Sequence, residues 1–479
     1  MSDSLKKIPV KVVNSKQPDS NEVSLYEVSK KLYPRHVTGL FANWRIATVI
    51  ITQLVFYGGP WLQWNGRQAI LFDVLNRKFY ILGLVLWPQD FALLAALLML
   101  CAFGLFWWTA IAGRLWCGFA CPQTVYTEIF LWIEHWIEGD RPKRMKLDEA
   151  PMSLNKLCIK GTKQLLWIAL SFWTGFTFVG FFTPVHLLWN ELLAFAMGPW
   201  ETFWVVFYGF ATYGNAGYMR EQVCKYMCPY ARFQSAMFDP DTLVISYDAK
   251  RGDPRGSRRK GSDYRAEGLG DCVNCGICVQ VCPTGIDIRD GLQYECIGCA
   301  ACIDACDQVM EKMDYPKGLI RYTTENALNG TYTEDQFLSR LLRPRVVLYT
   351  AILLVTAGAM IATLALRTPI RIDVIRDRTT LVKETDDGWL ENLYQLQIIN
   401  TDERSHDFSI SVDGLPGIKL VPAAKITVPA ASTHEVSVAV QVEPQNAPSG
   451  SSKINFRLTA TDTRGLATEA RSSFIGMRK

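Results

Sequence analysis

The feature that most constrains this chain is a doubled cysteine run between positions 272 and 306. Each half reads Cys-x2-Cys-x2-Cys-x3-Cys. The first supplies Cys272, Cys275, Cys278 and Cys282, followed by Pro283; the second supplies Cys296, Cys299, Cys302 and Cys306, followed by Asp307 where proline is usual. This spacing wraps a [4Fe–4S] cluster: three close thiols take three corners of the cube, and the fourth cysteine crosses to the other cluster. Cys272, Cys275, Cys278 and Cys306 are therefore expected to hold one cluster, and Cys296, Cys299, Cys302 and Cys282 the second. Zinc asks for two pairs of ligands, not four cysteines at this spacing twice over. Disulfides are disfavoured on a cytosolic face. Two clusters in one fold make a one-electron relay. The Pro-to-Asp change after Cys306 leaves the ligand set whole and bears on the local turn.

The rest of the chain must place that relay. Its 479 residues suffice for two or three domains, and the hydrophobic fraction of 49%, with 15 Trp, is concentrated in blocks. A net charge of +4 is too small to argue for nucleic acid. Five stretches are long and apolar enough to cross a bilayer, which takes about 20 residues: Trp44 to Leu62, Phe91 to Ala112, Leu165 to Phe182, Pro199 to Tyr218 and Val346 to Leu366. Phe79 to Trp87 is too short to span and is expected to dip into the membrane or lie on it. Lys and Arg crowd the loop 113–164 and the segments 255–260 and 340–345, whereas the loop 183–198 has none. The positive-inside rule then puts the amino terminus and the cluster domain in the cytoplasm, and an odd number of spans puts the carboxyl terminus in the periplasm.

The expected domains are a flexible cytoplasmic arm (1–40), a membrane domain (41–218), a cytoplasmic ferredoxin-type domain (219–345), a fifth span (346–366) and a periplasmic domain (367–479). The basic, glycine-rich region 248–270 reads as a mobile connector. After Arg367 the pattern turns to period two, in LYQLQIIN (393–400), DFSISV (407–412), HEVSVAVQV (434–442) and KINFRLTA (453–460). Such alternation, punctuated by Gly and Pro, predicts an antiparallel immunoglobulin-like sandwich of roughly seven strands. It reads as a docking module, with His406 and His434 as solvated strand residues. The fold class is thus multidomain: an α-helical membrane domain of about five transmembrane helices, an α+β 2[4Fe–4S] ferredoxin domain and an all-β sandwich.

A second constellation sits where spans end. LWCGFACPQTVYTEIF holds Cys117 and Cys121, and QVCKYMCPYARFQSAMF holds Cys224 and Cys228. Both are Cys-x3-Cys-Pro followed by an amphipathic stretch, an internal repeat. Cysteines at i and i+4 share a helical face, and converging thiols suit a soft ion such as Cu(I) or thiol redox chemistry. The bland alternative is four buried structural cysteines, the reading taken for Cys101 and Cys158. His135, flanked by Glu134 and Glu138, reads as a surface residue of an interfacial helix with Trp132 and Trp136 at the headgroups.

With these parts assembled, the chain resembles the CcoG/FixG/RdxA family of cytochrome c oxidase accessory proteins. The residues that carry the resemblance are NGRQAILFDVLNRKFYILGLVLWPQD (65–90), GRLWCGFACPQTVYTEIF (113–130), CKYMCPYARFQSAMFD (224–239), the double cluster run and the sandwich from NLYQLQIINTD onward. The first of these has no chemistry that its residue types reveal. The resemblance implies a membrane-bound cupric reductase of the bacterial inner membrane, reducing Cu(II) to Cu(I) for assembly of a cbb3-type oxidase. Cys117, Cys121, Cys224 and Cys228 become copper-handling, catalytic thiols, with copper as substrate or transient ligand. The implied partners are oxidase subunits or copper chaperones, membrane lipid and a separate electron donor, since no Gly-x-Gly-x-x-Gly follows a strand. Quinol dehydrogenases of the NapH/NosR-like kind share the spans, the thiol pairs and the two clusters, and remain an alternative; so does a non-enzymatic redox-sensing scaffold.

Overall fold

The computed structural model describes residues 31–331, 342–377, 382–422, 425–462 and 466–476. The expected arm before residue 31, with Pro9 and Pro18, and the basic Arg340 lie outside the described residues. Helix α1 (Leu40–Gly58) leads to a meander of strands β1 (Ile70–Asp73), β2 (Lys78–Ile81) and β3 (Leu84–Leu86), and then to α2 (Phe91–Ala112). Short α3 (Leu115–Phe119) breaks before α4 (Pro122–Glu138) and α5 (Arg141–Glu149). Helices α6 (Leu154–Val179), α7 (Val185–Leu193) and α8 (Pro199–Thr212) follow, the last widening into π turns over Tyr213–Met219.

The five apolar stretches all fold as helices, but they differ in character. Leu40–Trp61, Pro88–Ala112 and Pro344–Ala365 are long and apolar enough to cross a membrane, with mean hydropathy 1.3, 2.3 and 2.1, and little of their surface is covered by the protein. Apolar area of that extent is stable against lipid rather than water. Helix α6 starts well before its apolar half because Ser153 caps it, its hydroxyl accepting from Lys156 N–H at 3.2 Å. It pairs closely with α8, where a Cβ on Gly175 would collide with the Val205 carbonyl.

Helix α9 (Pro229–Met237) enters the ferredoxin-type domain. Strand β4 (Val244–Tyr247) pairs antiparallel with β5 (Ile320–Thr323), and the cysteine runs are carried by the loops around α10 (Ile277–Gln280) and α11 (Ala301–Met313). Asp307, standing where proline is usual, accepts the Gly318 N–H at 2.9 Å and so ties α11 to the turn before β5. Two expectations are corrected here. Residues 31–38 are not a loose arm but lie against the cluster domain and α5: Arg35 N–H donates to the Gln280 carbonyl at 2.9 Å, and Lys31 and Tyr33 both reach Asp148. The stretch 248–270 is an ordered wrap rather than a mobile connector. Its backbone pairs with the Cys272 loop, and Arg258 stacks over Tyr264 and Tyr315. Arginine planes on aromatic faces supply the packing that its composition hides.

Helix α12 (Pro344–Ala365) leads into the sandwich. Strands β6 (Ile370–Arg376), β7 (Leu390–Asn400), β8 (His406–Asp413), β9 (Lys419–Val421), β10 (Lys425–Val428), β11 (Thr433–Val442), β12 (Gly450–Ala460) and β13 (Ala467–Gly476) form two sheets, ordered β9-β11-β7-β6 and β10-β8-β12-β13, with the short strand Lys383–Glu384 added to β7. Alternate residues point inward, and Tyr394, Phe408, Phe456 and Phe474 fill the core. His434 is exposed as expected, but His406 is not a solvated residue. It is 5% exposed, with its two ring nitrogens against Asp462 (2.8 Å) and Asp402 (3.1 Å).

The cluster domain and the sandwich stand at opposite ends of the bundle. Asp304 of α11 accepts from Phe41 and Ala42 N–H at the start of α1, and Leu243 donates to Ile111 at the end of α2. At the far end, Arg367 reaches the Val85 carbonyl and Asp90. The stretch Phe79–Trp87 is therefore not a membrane dip. It forms most of the meander, where Val85 and Trp87 pack against Ile399 of the sandwich.

Candidate electron-transfer site

The eight run cysteines surround two cavities. One is lined by Cys272, Cys275, Cys278 and Cys306 among apolar residues. The other is lined by Cys282, Cys296, Cys299 and Cys302, with Cys278 between the two. The fourth cysteine of each run thus lies at the other run's cavity, the crossing that the spacing predicts. Burial, then the neighbouring thiols, pushes Cys296 and Cys306 up to about 12; for Cys278, pushed up to about 11, burial is again the largest cause. Thiols so crowded and desolvated ionise together only around a cationic core. Among the described residues no three His, Cys, Asp or Glu side chains are arranged to hold a single ion. Four thiols gathered around each gap fit an iron–sulfur cube.

Two thiol pairs flank the second cavity. Cys117 lies in α3, but Cys121 has left it, with φ −62° and ψ 129°, and caps α4 just before Pro122. Cys224 lies in a π turn, Val223–Met227, and Cys228, with φ −76° and ψ 110°, caps α9 just before Pro229. The expected shared helical face is thereby corrected: a residue preceding proline avoids the helical region, so the second thiol of each pair turns off its helix. The repeat holds in three dimensions nonetheless. Burial, then Cys121, pushes Cys117 up to about 12, and burial, then Cys121 and Cys228, pushes Cys224 up to about 11, so both pairs share one neighbourhood. Cys117 and Cys224, like Cys302, pack against the apolar cluster that contains Cys299. Cys101 and Cys158, expected to be buried structural cysteines, are instead exposed, on the outer faces of α2 and α6.

The contact between the repeat and the second cluster loop is made by residues that sequence reasoning passed over. A Cβ on Gly118 would sit 2.6 Å from the Gly298 carbonyl oxygen and 2.8 Å from Cys299 Cα, so only glycine admits this approach. Arg114 donates to the carbonyls of Tyr294, Cys296 and Ala231, joining the cluster loop to the second repeat's helix. Burial pushes the Cys299 thiol up, and the buried charge of Arg45 of α1, 8% exposed, offsets part of that rise. Behind these lies a buried ionic group. Glu134 pairs with Arg144 at 2.9 Å and Arg220 at 2.7 Å, and Glu138 with Lys160 at 2.9 Å and Lys163 at 3.0 Å. His135 between them is exposed and stacks on His36, ring centroids 4.9 Å apart. Arg114 and Gly118 lie inside the first thiol motif but have no counterpart in the second, so nothing local marked them as contacts or Glu134 as buried.

Two ferredoxin-type cavities docked on a thiol-bearing bundle, with apolar helices and a distal sandwich, define a membrane-associated iron–sulfur oxidoreductase. Comparison with known proteins agrees. Residues 219–325 match the family model of a 4Fe-4S dicluster domain, residues 94–144 that of a 4Fe-4S binding domain, and residues 360–477 that of the IG-like fold at the C-terminal of FixG. The chain is 38% identical to Protein RdxB of Cereibacter sphaeroides, over 87% of this chain and 90% of that one. It is 36% identical to nitrogen fixation protein FixG of Rhizobium meliloti, over 84% and 83%. Protein RdxA of Cereibacter sphaeroides is 36% identical, over 91% and 93%. The chain belongs to the FixG/RdxA family.

Proposed function

We propose that this protein is a cupric reductase of the bacterial inner membrane, passing single electrons from its cluster domain to Cu(II) held at the Cys-x3-Cys-Pro thiols, in the service of cbb3-type oxidase assembly. In this reading Cys272, Cys275, Cys278 and Cys306 ligate one [4Fe–4S] cluster and Cys282, Cys296, Cys299 and Cys302 the other. When bound, the clusters supply one-electron storage. The observation that carries the reading is the contact of Gly118 with Gly298 and Cys299, which brings the first thiol pair against the second cluster loop. Arg114 fixes that approach, and the low polarity around Cys117 and Cys224 favours a soft ion over a hydrated one. The Cu(I) product suits thiolate, so reduction and retention are favoured at one place. The topology proposed is five spans, with the cluster domain cytoplasmic and the sandwich periplasmic, docking oxidase subunits or copper chaperones. It is supported by the basic loops at one end of the bundle and by the sandwich standing at the other.

The test is reoxidation of anaerobically reduced protein by Cu(II). Cys117→Ser and Cys224→Ser should keep full iron content yet react more slowly by on the order of 10–100-fold. Wild-type rates in both variants would sink the copper reading. A second reading has its own support: the 4Fe-4S binding model covers Cys117 and Cys121. If iron falls in these variants, the repeat thiols hold an iron–sulfur centre rather than copper.

A further inference from the structure

The relay has one end turned to the bundle and one end open. Of the eight run thiols, all within the described residues, Cys275 alone is exposed. It lies in the loop Asn274–Gly276, beside Arg289, whose guanidinium donates to the side-chain Oδ1 of Asn274 at 2.7 Å while pairing with Asp287 at 2.6 Å. The wrap described above closes over the same loop: Gly256 N–H donates to the Cys272 carbonyl, and Cys272 N–H to that of Gly252, both at 3.3 Å. Residues 250–265 carry seven Lys or Arg against Asp253 and Asp263. Stacking of Arg258 between Tyr264 and Tyr315, with the Tyr264 hydroxyl on Asp271 at 2.8 Å, holds the wrap in place. Arg255, Arg259, Lys260 and Arg265 are exposed on it, with Arg255 paired to Asp253 at 3.2 Å and Lys260 to Asp314 at 2.6 Å.

We propose that this basic wrap beside Cys275 is the docking surface for an acidic, soluble one-electron carrier protein, and that electrons enter the relay there. A fixed positive collar around the open end of a redox site raises encounter rates with a carrier of opposite charge by about 10- to 1,000-fold. A basic patch alone would equally suit anionic lipid. The exposed thiol at its edge favours the carrier, because Cys275 lines the first cavity and also reaches the surface. The transfer is balanced by itself: the reduced carrier loses one electron, the relay gains it, and no proton or bond changes hands. The inference rests on the iron–sulfur part of the reading above and not on copper.

The test uses full-length protein in detergent, oxidised, mixed with an acidic flavodoxin reduced to its hydroquinone. The rate constant should fall about tenfold in the double variant Arg259→Glu/Arg265→Glu, and fall in wild type as salt is raised. Reduction by dithionite and iron content should be unchanged, which excludes misfolding. Equal rates in variant and wild type overturn the proposal. So does a variant that loses binding to vesicles containing anionic phospholipid while flavodoxin still reduces it normally, which would make the wrap a lipid contact. Failure of Cu(II) to reoxidise the reduced protein would count against the copper reading alone.

Discussion

Glu134 is 2% exposed, and its environment decides its charge. Burial pushes the carboxyl up, but Arg220, Lys163 and Arg144 outweigh it and hold the pKa below its usual value. A depressed pKa stabilises the fold above the ordinary carboxylate range and is lost as pH falls through the lowered value. The unfolding midpoint of the detergent-solubilised protein should therefore drop as the medium is acidified below about pH 4. Glu134→Gln leaves Arg144 and Arg220 without their anion, while Lys163 keeps Glu138, and should cost about 3–5 kcal/mol at neutral pH, measured by chemical denaturation. A midpoint equal to wild type would mean the group is solvated. Sequence could not reveal this arrangement. TEIFLWIEHWIEGD reads as an amphipathic helix with its acids in water; Arg144 and Arg220, on other elements, reverse that.

At the scale of elements, α3 and α4 show what spacing conveys and what it omits. The cluster runs were legible as a spacing, because cysteine order is a property of the chain; the cavities they line group the cysteines in two fours, with Cys278 at both. The apolar helices were legible for the same reason: length and hydropathy are local. The thiol pairs were legible as a repeat but not as geometry, since the prolines at 122 and 229 end the turn that the i, i+4 rule assumes. The docking glycine was invisible, its need set by Gly298, far along the chain. Gly118→Ala should strain that contact by about 1–3 kcal/mol. Expected are full iron content, faster hydrogen exchange over residues 296–302 and slower reoxidation by Cu(II). Unchanged exchange in that loop would mean the two parts are not pressed together as described.

Across the whole molecule, the segment 65–90 acquires the role that its composition concealed. A tight hairpin pairing Gln63 with Gln68 presents Trp64, Asn65 and Arg67, all donating to Glu403 of the sandwich at 3.2, 2.6 and 2.7 Å. Lys78 reaches the Ala431 carbonyl at 3.0 Å, and Asp90 takes both Arg367 and Arg371. Glu403→Ala strips three donors of one acceptor and should weaken this latch by about 1–3 kcal/mol. Limited proteolysis should then cut between α12 and the sandwich more readily, with cluster content and reduction by dithionite unaffected. Resistance equal to wild type would show that the apolar contact of Val85 and Trp87 with Ile399 suffices.

That latch joins residues 336 and 353 positions apart. A ribosome must therefore deliver most of the chain before the meander meets its partner, and through that interval Val85 and Trp87 wait uncovered. Biogenesis acquires an order: the last hundred or so residues must emerge and form their sheets before the earliest loop can close. A nascent chain stalled after its final apolar helix would present this loop to chaperones and proteases, so completeness of synthesis is itself inspected by the fold.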